Sequence, residues 1–155
     1  MKNETIEFFV PGKPGTAGSK NPFPIYRKGA DGQKIFTGKV VAVDANKKKS
    51  TWMADVKHFA YQAYQGEPLT GPVSLEIIFV MPRPKNHFKS NGELKPNAEI
   101  FHGKRPDLTK MLRALEDALT GIIWQDDSCV AATNMQKIYG PNPGAQVKIM
   151  SLNHK

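Results

Sequence analysis

The sequence of 155 residues has one cysteine, few acidic residues and no long apolar run. A single cysteine excludes an intrachain disulfide and any zinc site built from several cysteines. No apolar stretch reaches the roughly 20 residues that a membrane-spanning helix requires. Glu4 and Glu7 interrupt the beginning of the chain, where a signal peptide would need an apolar core. We therefore expect a protein that is made and kept in the cytoplasm, without a membrane partner.

Several enzyme motifs are also missing. The sequence contains no phosphate-binding P-loop, no dinucleotide-binding glycine pattern and no HExxH zinc motif. Ser19 and Ser128 lie in no nucleophile motif, and Cys129 is better explained as a buried strand residue than as a nucleophile. His87 and His102 have no partner at metal-ligand spacing, so we interpret both as surface or DNA-facing residues.

The charge of the chain is strongly positive. Its 22 lysine and arginine residues stand against 14 acidic ones, which gives a formal net charge of +8 and a pI of about 9.6. Such a domain tends to bind polyanions, because each neutralised phosphate releases condensed counterions. A basic surface that is simply solvated is the alternative. The charge therefore favours a nucleic-acid partner.

Chain length and hydrophobic patterning predict the fold. A chain of this size fits one domain, residues 1–155, and buries roughly two-thirds of its unfolded surface. We expect an α+β architecture, in which a mixed or antiparallel sheet packs against two main helices. The patterns predict strands at 5–10, 40–43, 72–81, 129–139 and 145–152, with the last two paired as a hairpin, and long loops at 11–39, with a hairpin around 30–32 as an option, and at 83–105.

The first predicted helix begins at Ser50 as its N-cap and continues to about Gln65. Three lysines, Lys47, Lys48 and Lys49, would lie just before it. A phosphate at that place would meet both the lysines and the positive end of the helix dipole. A solvated run of charge explains the same lysines equally well.

The second predicted helix, residues 107–120, has the clearest pattern in the chain. Pro106 precedes its first turn and Gly121 supplies its C-cap. One apolar stripe runs along it at helical spacing, through Leu108, Met111, Leu112, Leu115 and Leu119. We therefore expect this helix to pack on the sheet.

Acidic residues are scarce, and four of them lie on or beside this helix. Asp107 opens it, Asp117 lies about three turns along it, and Asp126 and Asp127 form the turn that follows. Two or three carboxylates can hold Mg²⁺, which assists phosphodiester cleavage, while a nearby lysine or arginine stabilises the developing charge. The pattern suits any Mg²⁺ enzyme and does not single out a nuclease.

Each of these acidic residues also has an ordinary structural explanation. The macrodipole favours Asp107 at a helix start. Asp126 and Asp127 suit a turn, and Asp117 can pair with Arg113 one turn earlier. Spacing alone leaves both interpretations open.

Three short motifs lie close together in this part of the chain: RPDLTKMLRA at 105–114, DALTG at 117–121 and WQDD at 124–127. They are similar to the pattern RPDLDNLxKxxxDALxGxxxxDDxQV, so the chain resembles the RusA family of Holliday junction resolvases, in its phage-borne form. The likeness is close from Arg105 to Tyr139. It is looser over the FFVPGKPGTAGSK, DANKKKSTW and GPVSLEIIFVMPRPK segments.

The resemblance implies a dimeric, Mg²⁺-dependent endonuclease that cuts four-way DNA junctions and other branched DNA by paired nicks, with Mn²⁺ able to replace Mg²⁺. It assigns metal binding to Asp107 and Asp127, with Asp126 as a neighbouring helper. Asp117 matches a family position whose role is structural or supporting. A phage-encoded copy would act in the cytoplasm of its host.

Two positions depart from the family pattern. The second aspartate of the RPDLDN element is Thr109 here, and the following asparagine is Lys110. At the position of the family's functional lysine, this chain has Arg113, which keeps the positive charge but cannot give up a proton as lysine can. Lys110 lies one turn from Asp107, so Arg113 and Lys110 are the two candidates for the catalytic cation.

The remaining basic residues predict how DNA would be held. Phosphate contacts are expected from Lys13, Lys20, Lys47, Lys48, Lys49, Arg83, Lys85, Lys104 and Arg105. A rival hypothesis is a non-catalytic protein that binds branched DNA and has lost a metal ligand at Thr109. A generic RNA-binding domain has less support, because no aromatic RNP-like stretch is present.

Overall fold

The computed structural model describes residues 4–16, 20–28, 30, 34–44 and 47–152, and for 20–28, 34–44 and 47–50 it describes the path of the backbone. The strands and helices along these residues are β1 (Thr5–Pro11), β2 (Lys20–Lys28), β3 (Lys34–Asp44), α1 (Lys47–Ala63), β4 (Val73–Met81), α2 (Leu108–Leu119), β5 (Val130–Tyr139) and β6 (Gly144–Ser151). Short 3₁₀ turns occupy Lys85–His87 and Asp127–Cys129.

Four strands form a mixed sheet in the order β1-β6-β4-β5. β6 pairs antiparallel with both β1 and β4, whereas β5 pairs parallel with β4. β2 and β3 pair antiparallel with each other in a separate two-stranded sheet. The expected α+β architecture, with a mixed sheet and two main helices, is confirmed.

The core lies between the two helices and one face of the four-stranded sheet. Alternate residues of β4 face this core, among them the buried Leu75, Ile77 and Phe79. The helices and the neighbouring strands complete it with Ile6, Phe8, Val10, Trp52, Val56, Ala60, Met111, Leu115, Ala118, Leu119, Val147 and Ile149. Burying one large apolar side chain contributes about 1.5–3 kcal/mol, so this layer holds the elements in register. In the described part of the chain, no helix is long and apolar enough to span a bilayer.

α2 forms where its periodicity predicts it. Five of its residues are buried, all on the apolar side. Asp107 occupies the N-cap position, and Gly121 just after the helix has a φ of 89°, a left-handed conformation that glycine adopts without strain. Trp124 is buried behind this turn, and its Nε1 donates a hydrogen bond to Thr120 Oγ1 at 3.0 Å. The turn after α2 is therefore fixed by packing as well as by the glycine.

The predicted hairpin between the last two strands is wrong. β5 and β6 do not pair with each other, because β4 lies between them in the sheet. The connection at 140–143 passes over the end of β4, where Gly140 donates a backbone hydrogen bond to Met81 at 3.0 Å. Glycine and proline mark a chain reversal, but they do not determine which strand the chain joins after it.

The prediction of one long loop at 11–39 is also wrong, since β2 and most of β3 lie inside it. The two strands form the optional hairpin, and residues 31–33 of its turn lie outside the described residues. The predicted strand at 40–43 falls within β3. β2 contains two prolines, which a strand tolerates when one of its edges is unpaired, as in a two-stranded sheet.

The first helix begins earlier than predicted. α1 covers Lys47–Ala63, so Ser50 is inside the helix and is not its N-cap. Lysine has a high helix propensity, which lets the helix extend through the three lysines. Lys47, Lys48 and Lys49 therefore form the first turn of α1 and do not precede it.

Candidate active site

Asp107 lies at the start of α2, but its side chain does not cap the helix. Its carboxylate makes no capping hydrogen bond and instead lies 3.5 Å from Lys110 Nζ, with 57% of the side chain exposed. It borders an open surface pocket of about 510 Å³ together with Thr16, Arg105 and Pro106. The helix-start explanation accounts for the position of Asp107 but not for a carboxylate that lies beside Lys110 and is exposed to solvent.

Asp126 and Asp127 lie next to each other in the turn after α2. Asp126 Oδ1 accepts a hydrogen bond from the backbone N–H of Ser128 at 2.9 Å. That N–H, then the Ser128 hydroxyl and the Asp127 carboxyl, hold the pKa of Asp126 below its ordinary value. The hydrogen bond from Asp126, followed by burial and nearby negative charge, raises the pKa of Asp127. The two neighbouring carboxyl groups therefore present oxygen ligands side by side.

Glu116 is a carboxylate at this end of α2 that the sequence analysis did not single out. Burial raises its pKa, and the negative charges of Asp127 and Asp117 raise it further. Asp117 itself is exposed and, among the described residues, forms no ion pair with Arg113. The sequence signal for Glu116 is its place directly before Asp117, and the structure shows it on the partly buried side of the helix.

The predicted metal ligands fall into two groups. Asp107 lies at the N-terminal end of α2, whereas Asp126 and Asp127 follow its C-terminal end. A helix of 12 residues is about 18 Å long at 1.5 Å per residue. Within the described ranges, no three histidine, cysteine or acidic residues are close enough to hold one metal ion together. The length of α2 therefore separates Asp107 from Asp126 and Asp127 within one chain.

The donor chemistry nevertheless fits Mg²⁺. This ion is usually held by one or two carboxylates, and its other positions are filled by waters and substrate phosphates. The paired carboxyl groups of Asp126 and Asp127 give oxygen ligands of that kind, and so does the exposed Asp107. Cys129 is half-buried, with its Sγ 3.7 Å from the Thr70 carbonyl oxygen, and takes no part in either group.

The two histidines of the long loop pack on a tyrosine rather than facing outward alone. The rings of His87 and His102 each lie 4.8 Å from the buried ring of Tyr139, in β5. Arg83 lies over the same ring and donates a hydrogen bond to the Glu99 carbonyl oxygen at 2.8 Å. This group of side chains ties the loop between β4 and α2 to the end of β5.

The side chains predicted to contact DNA differ in their exposure to solvent and in the contacts that they already make. Lys85, Lys104 and Arg105 are exposed, and so is Lys13, which borders a separate pocket of about 300 Å³. Arg83 is committed to the loop contacts just described. The side chains of Lys20, Lys47, Lys48 and Lys49 lie outside the described residues. Arg113 is exposed on α2, one turn beyond Lys110.

Carboxylates close to exposed cations are typical of proteins that cut a phosphodiester backbone with the help of a metal ion. Comparison with known families agrees with this class: the sequence profile described as Endodeoxyribonuclease RusA matches residues 26–150. The match covers most of the chain, which therefore belongs to the RusA endodeoxyribonuclease family. The chain is also 28% identical over 102 residues to YqaN, an uncharacterized protein of Bacillus subtilis (strain 168), across 63% of this chain and 72% of that protein.

Family membership makes this protein a nuclease. It implies Holliday junction resolution and activity on branched DNA, with the metal dependence that is general in the family. The resemblance drawn from the motifs at 105–127 is thereby confirmed.

His102 should make the stability of the protein depend on pH. Burial lowers the pKa of His102, and the positive charge of Lys137 lowers it further, while its Nδ1 is buried without a hydrogen-bond partner. Between the lowered folded pKa and the ordinary value of about 6.5, the unfolded chain binds more protons than the folded one. The free energy of unfolding therefore falls as the pH drops through this interval. His102→Phe keeps a ring against Tyr139 and removes the titrating group. Urea unfolding measures the free energy of unfolding of both proteins. As the pH falls, this free energy should decrease more in the wild type than in the variant. A difference that stays constant from pH 8 to pH 5.5 would contradict this assignment.

Proposed function

We propose that this protein is a Mg²⁺-dependent, structure-specific endonuclease that resolves four-way junctions and other branched DNA by paired nicks. The observation that carries the proposal is the Asp107 carboxylate, which starts α2 without capping it and opens onto a pocket bordered by Arg105 and Lys110. The activity is assigned to one domain, residues 1–155, acting in DNA recombination and repair in the cytoplasm, or in the host cytoplasm if the source is a phage.

Asp107 and Asp127 are the carboxylates assigned to Mg²⁺, with Asp126 beside Asp127 as a helper, and Mn²⁺ is expected to substitute. The bound ion supplies charge that polarises a phosphoryl oxygen and lowers the pKa of water. Lys110 and Arg113 project from the first two turns of α2 and stabilise the negative charge that develops on the phosphate. The Lys110 ammonium lies 3.5 Å from the Asp107 carboxylate and is therefore already close to the proposed metal site.

A homodimer would bring the two acidic groups together. Asp107 and Asp127 stand at opposite ends of α2 in one chain, so a two-fold arrangement can place Asp107 of one copy beside Asp127 of the other. Two composite sites would then face a junction that is itself roughly two-fold. The outer strand β5 offers support, because residues 131–134 are exposed at the edge of the sheet, and exposed edges are usually covered.

The basic residues of this dimer would contact the phosphates of the DNA. Lys104 and Arg105 lead directly into Asp107, and Lys13 and Lys85 are exposed elsewhere on the surface. α1 begins with three lysines and has no acidic residue in its first turn. Cations at a helix N-terminus are unfavourable for the dipole, and a DNA phosphate at that end would relieve this cost.

The alternative is a non-catalytic protein that binds branched DNA. Thr109, in the first turn of α2, is an exposed neutral residue where the family pattern has a carboxylate. One anionic ligand fewer weakens the hold on a divalent ion. This alternative predicts that the protein shifts a junction on a gel and leaves it uncut with every metal ion tried.

Asp127→Asn should abolish cutting and leave junction binding intact or tighter. The amide removes one negative charge and one anionic ligand, so the rate of Mg²⁺-dependent nicking should fall by about 100-fold or more. Nicking of a labelled four-way junction and its gel shift in EDTA measure the two effects. Glu93→Gln neutralises an exposed carboxylate in the distant loop and serves as the matched control. A variant that cuts as well as the wild type would remove Asp127 from the site.

Thr109→Asp should lower the Mg²⁺ concentration needed for cutting. The new carboxylate lies two residues after Asp107 and adds an anionic ligand, which should reduce the half-saturating Mg²⁺ concentration by about tenfold. Thr109→Asn has the same shape without the charge and should leave the concentration unchanged. Equal effects of the two substitutions, or none, would show that position 109 does not contribute to the metal site.

A further inference from the structure

Lys137 occupies a position that otherwise belongs to the core. In the parallel pairing of β4 and β5 it stands opposite Phe79, which is fully buried. Its neighbours on the same side of β5 are Tyr139, which is buried, and Met135, which packs against the core. The Lys137 side chain is half-buried on this face, and its ammonium needs hydrogen-bond partners there, because leaving it unpaired away from water is costly.

The partners of Lys137 are two backbone carbonyls just before Asp107. Its Nζ donates to the Pro106 carbonyl oxygen at 2.6 Å and to the Lys104 carbonyl oxygen at 2.5 Å. The Pro106 carbonyl belongs to the peptide unit that contains the backbone nitrogen of Asp107. The ammonium therefore binds the backbone directly before Asp107.

Backbone contacts bind the same segment to the same stretch of β5. The His102 N–H donates to the Lys137 carbonyl oxygen at 2.9 Å, and the Tyr139 N–H donates to the Ile100 carbonyl oxygen at 2.9 Å. The segment at 100–102 thus adds to the edge of β5, while residues 103–106 have no strand or helix of their own. Lys137 supplies the side-chain hydrogen bonds that hold this irregular part.

We propose that Lys137 is a positioning residue for the nuclease site, which fixes the backbone before Asp107 and thereby the direction of its carboxylate. This inference rests on the proposed role of Asp107 in metal binding. A residue of this kind contacts neither metal nor DNA. Loss of a group that orients a metal ligand typically lowers metal affinity or activity by about 10–100-fold.

Lys137→Met is the main test, since methionine keeps the length of the apolar stem and removes the ammonium. Lys137→Gln, which retains an amide donor, is measured beside it, so the result does not depend on one variant folding. Lys137→Arg can still donate to both carbonyls and should recover most of the loss. Lys148→Met is the matched control, because Lys148 lies on β6 opposite Glu7 and Glu76, on the other face of the sheet.

Two readouts separate positioning from general stability. Without metal, Lys137→Met should increase deuterium uptake in the peptide covering 100–107, whereas Lys148→Met should not. In a Mn²⁺ titration followed by electron paramagnetic resonance, the affinity should fall by about 10–100-fold in Lys137→Met, and cutting at limiting Mg²⁺ should fall in parallel while junction binding in EDTA is retained.

The outcomes distinguish this inference from the proposed function. If the wild type binds Mn²⁺ and cuts, but Lys137→Met matches Lys148→Met in both readouts, the role of Lys137 is wrong and the proposed function stands. If the wild type neither binds Mn²⁺ nor cuts, the proposed function is wrong and the positioning role falls with it. Greater deuterium uptake together with unchanged Mn²⁺ affinity would also overturn the inference, because Lys137 would then anchor the loop without affecting the site.

Discussion

The packing of α2 on the sheet decides where the acidic residues of this protein stand. Four buried residues of α2, Met111, Leu115, Ala118 and Leu119, belong to the core that the helix shares with the sheet, so it can neither rotate nor slide without exposing apolar surface. Asp107 is fixed at one end of this rod, and Asp126 and Asp127 at the other. Within one chain, the two groups of acidic residues are therefore separated by the length of α2.

The long loop between β4 and α2 owes its order to polar contacts. It has few buried apolar residues, and several large ones, including Ile100 and Phe101, are exposed. It is attached by the edge-on and tilted ring contacts of two histidines with Tyr139, by the hydrogen bonds of Arg83 and by those of Lys137. All of these reach the last three residues of β5 or the residues beside them. The end of β5 therefore anchors the loop that leads to Asp107.

Sequence patterns predicted the elements that bury one face and failed where pairing or distance mattered. The strand at β4 and the helix α2 were predicted because alternation and helical spacing report which side faces the core. The same patterns do not report neighbours, so the insertion of β4 between β5 and β6 was missed. Prolines and glycines concealed β2 and β3, which pair only with each other.

The acidic residues of the site were predicted by type and by their order along α2, since Asp107 opens the helix and Asp126 and Asp127 follow it. The motifs did not reveal Glu116, whose carboxylate lies near Asp127 and Asp117. Lys137 had a signal in the alternation of Met135, Lys137 and Tyr139, which places a lysine on the inward side of a strand. Its partners are backbone carbonyls some 30 residues earlier, a separation that no local pattern reveals.

If the proposed function is right, this chain cuts four-way DNA junctions despite the threonine at position 109. The most direct measurement incubates the purified protein with a labelled four-way junction and with a linear duplex of matched sequence, in Mg²⁺ and in EDTA. We expect paired nicks in the junction alone, and only when Mg²⁺ is present. A junction that is shifted but remains uncut in both Mg²⁺ and Mn²⁺ would contradict the account and establish the protein as a binder of branched DNA.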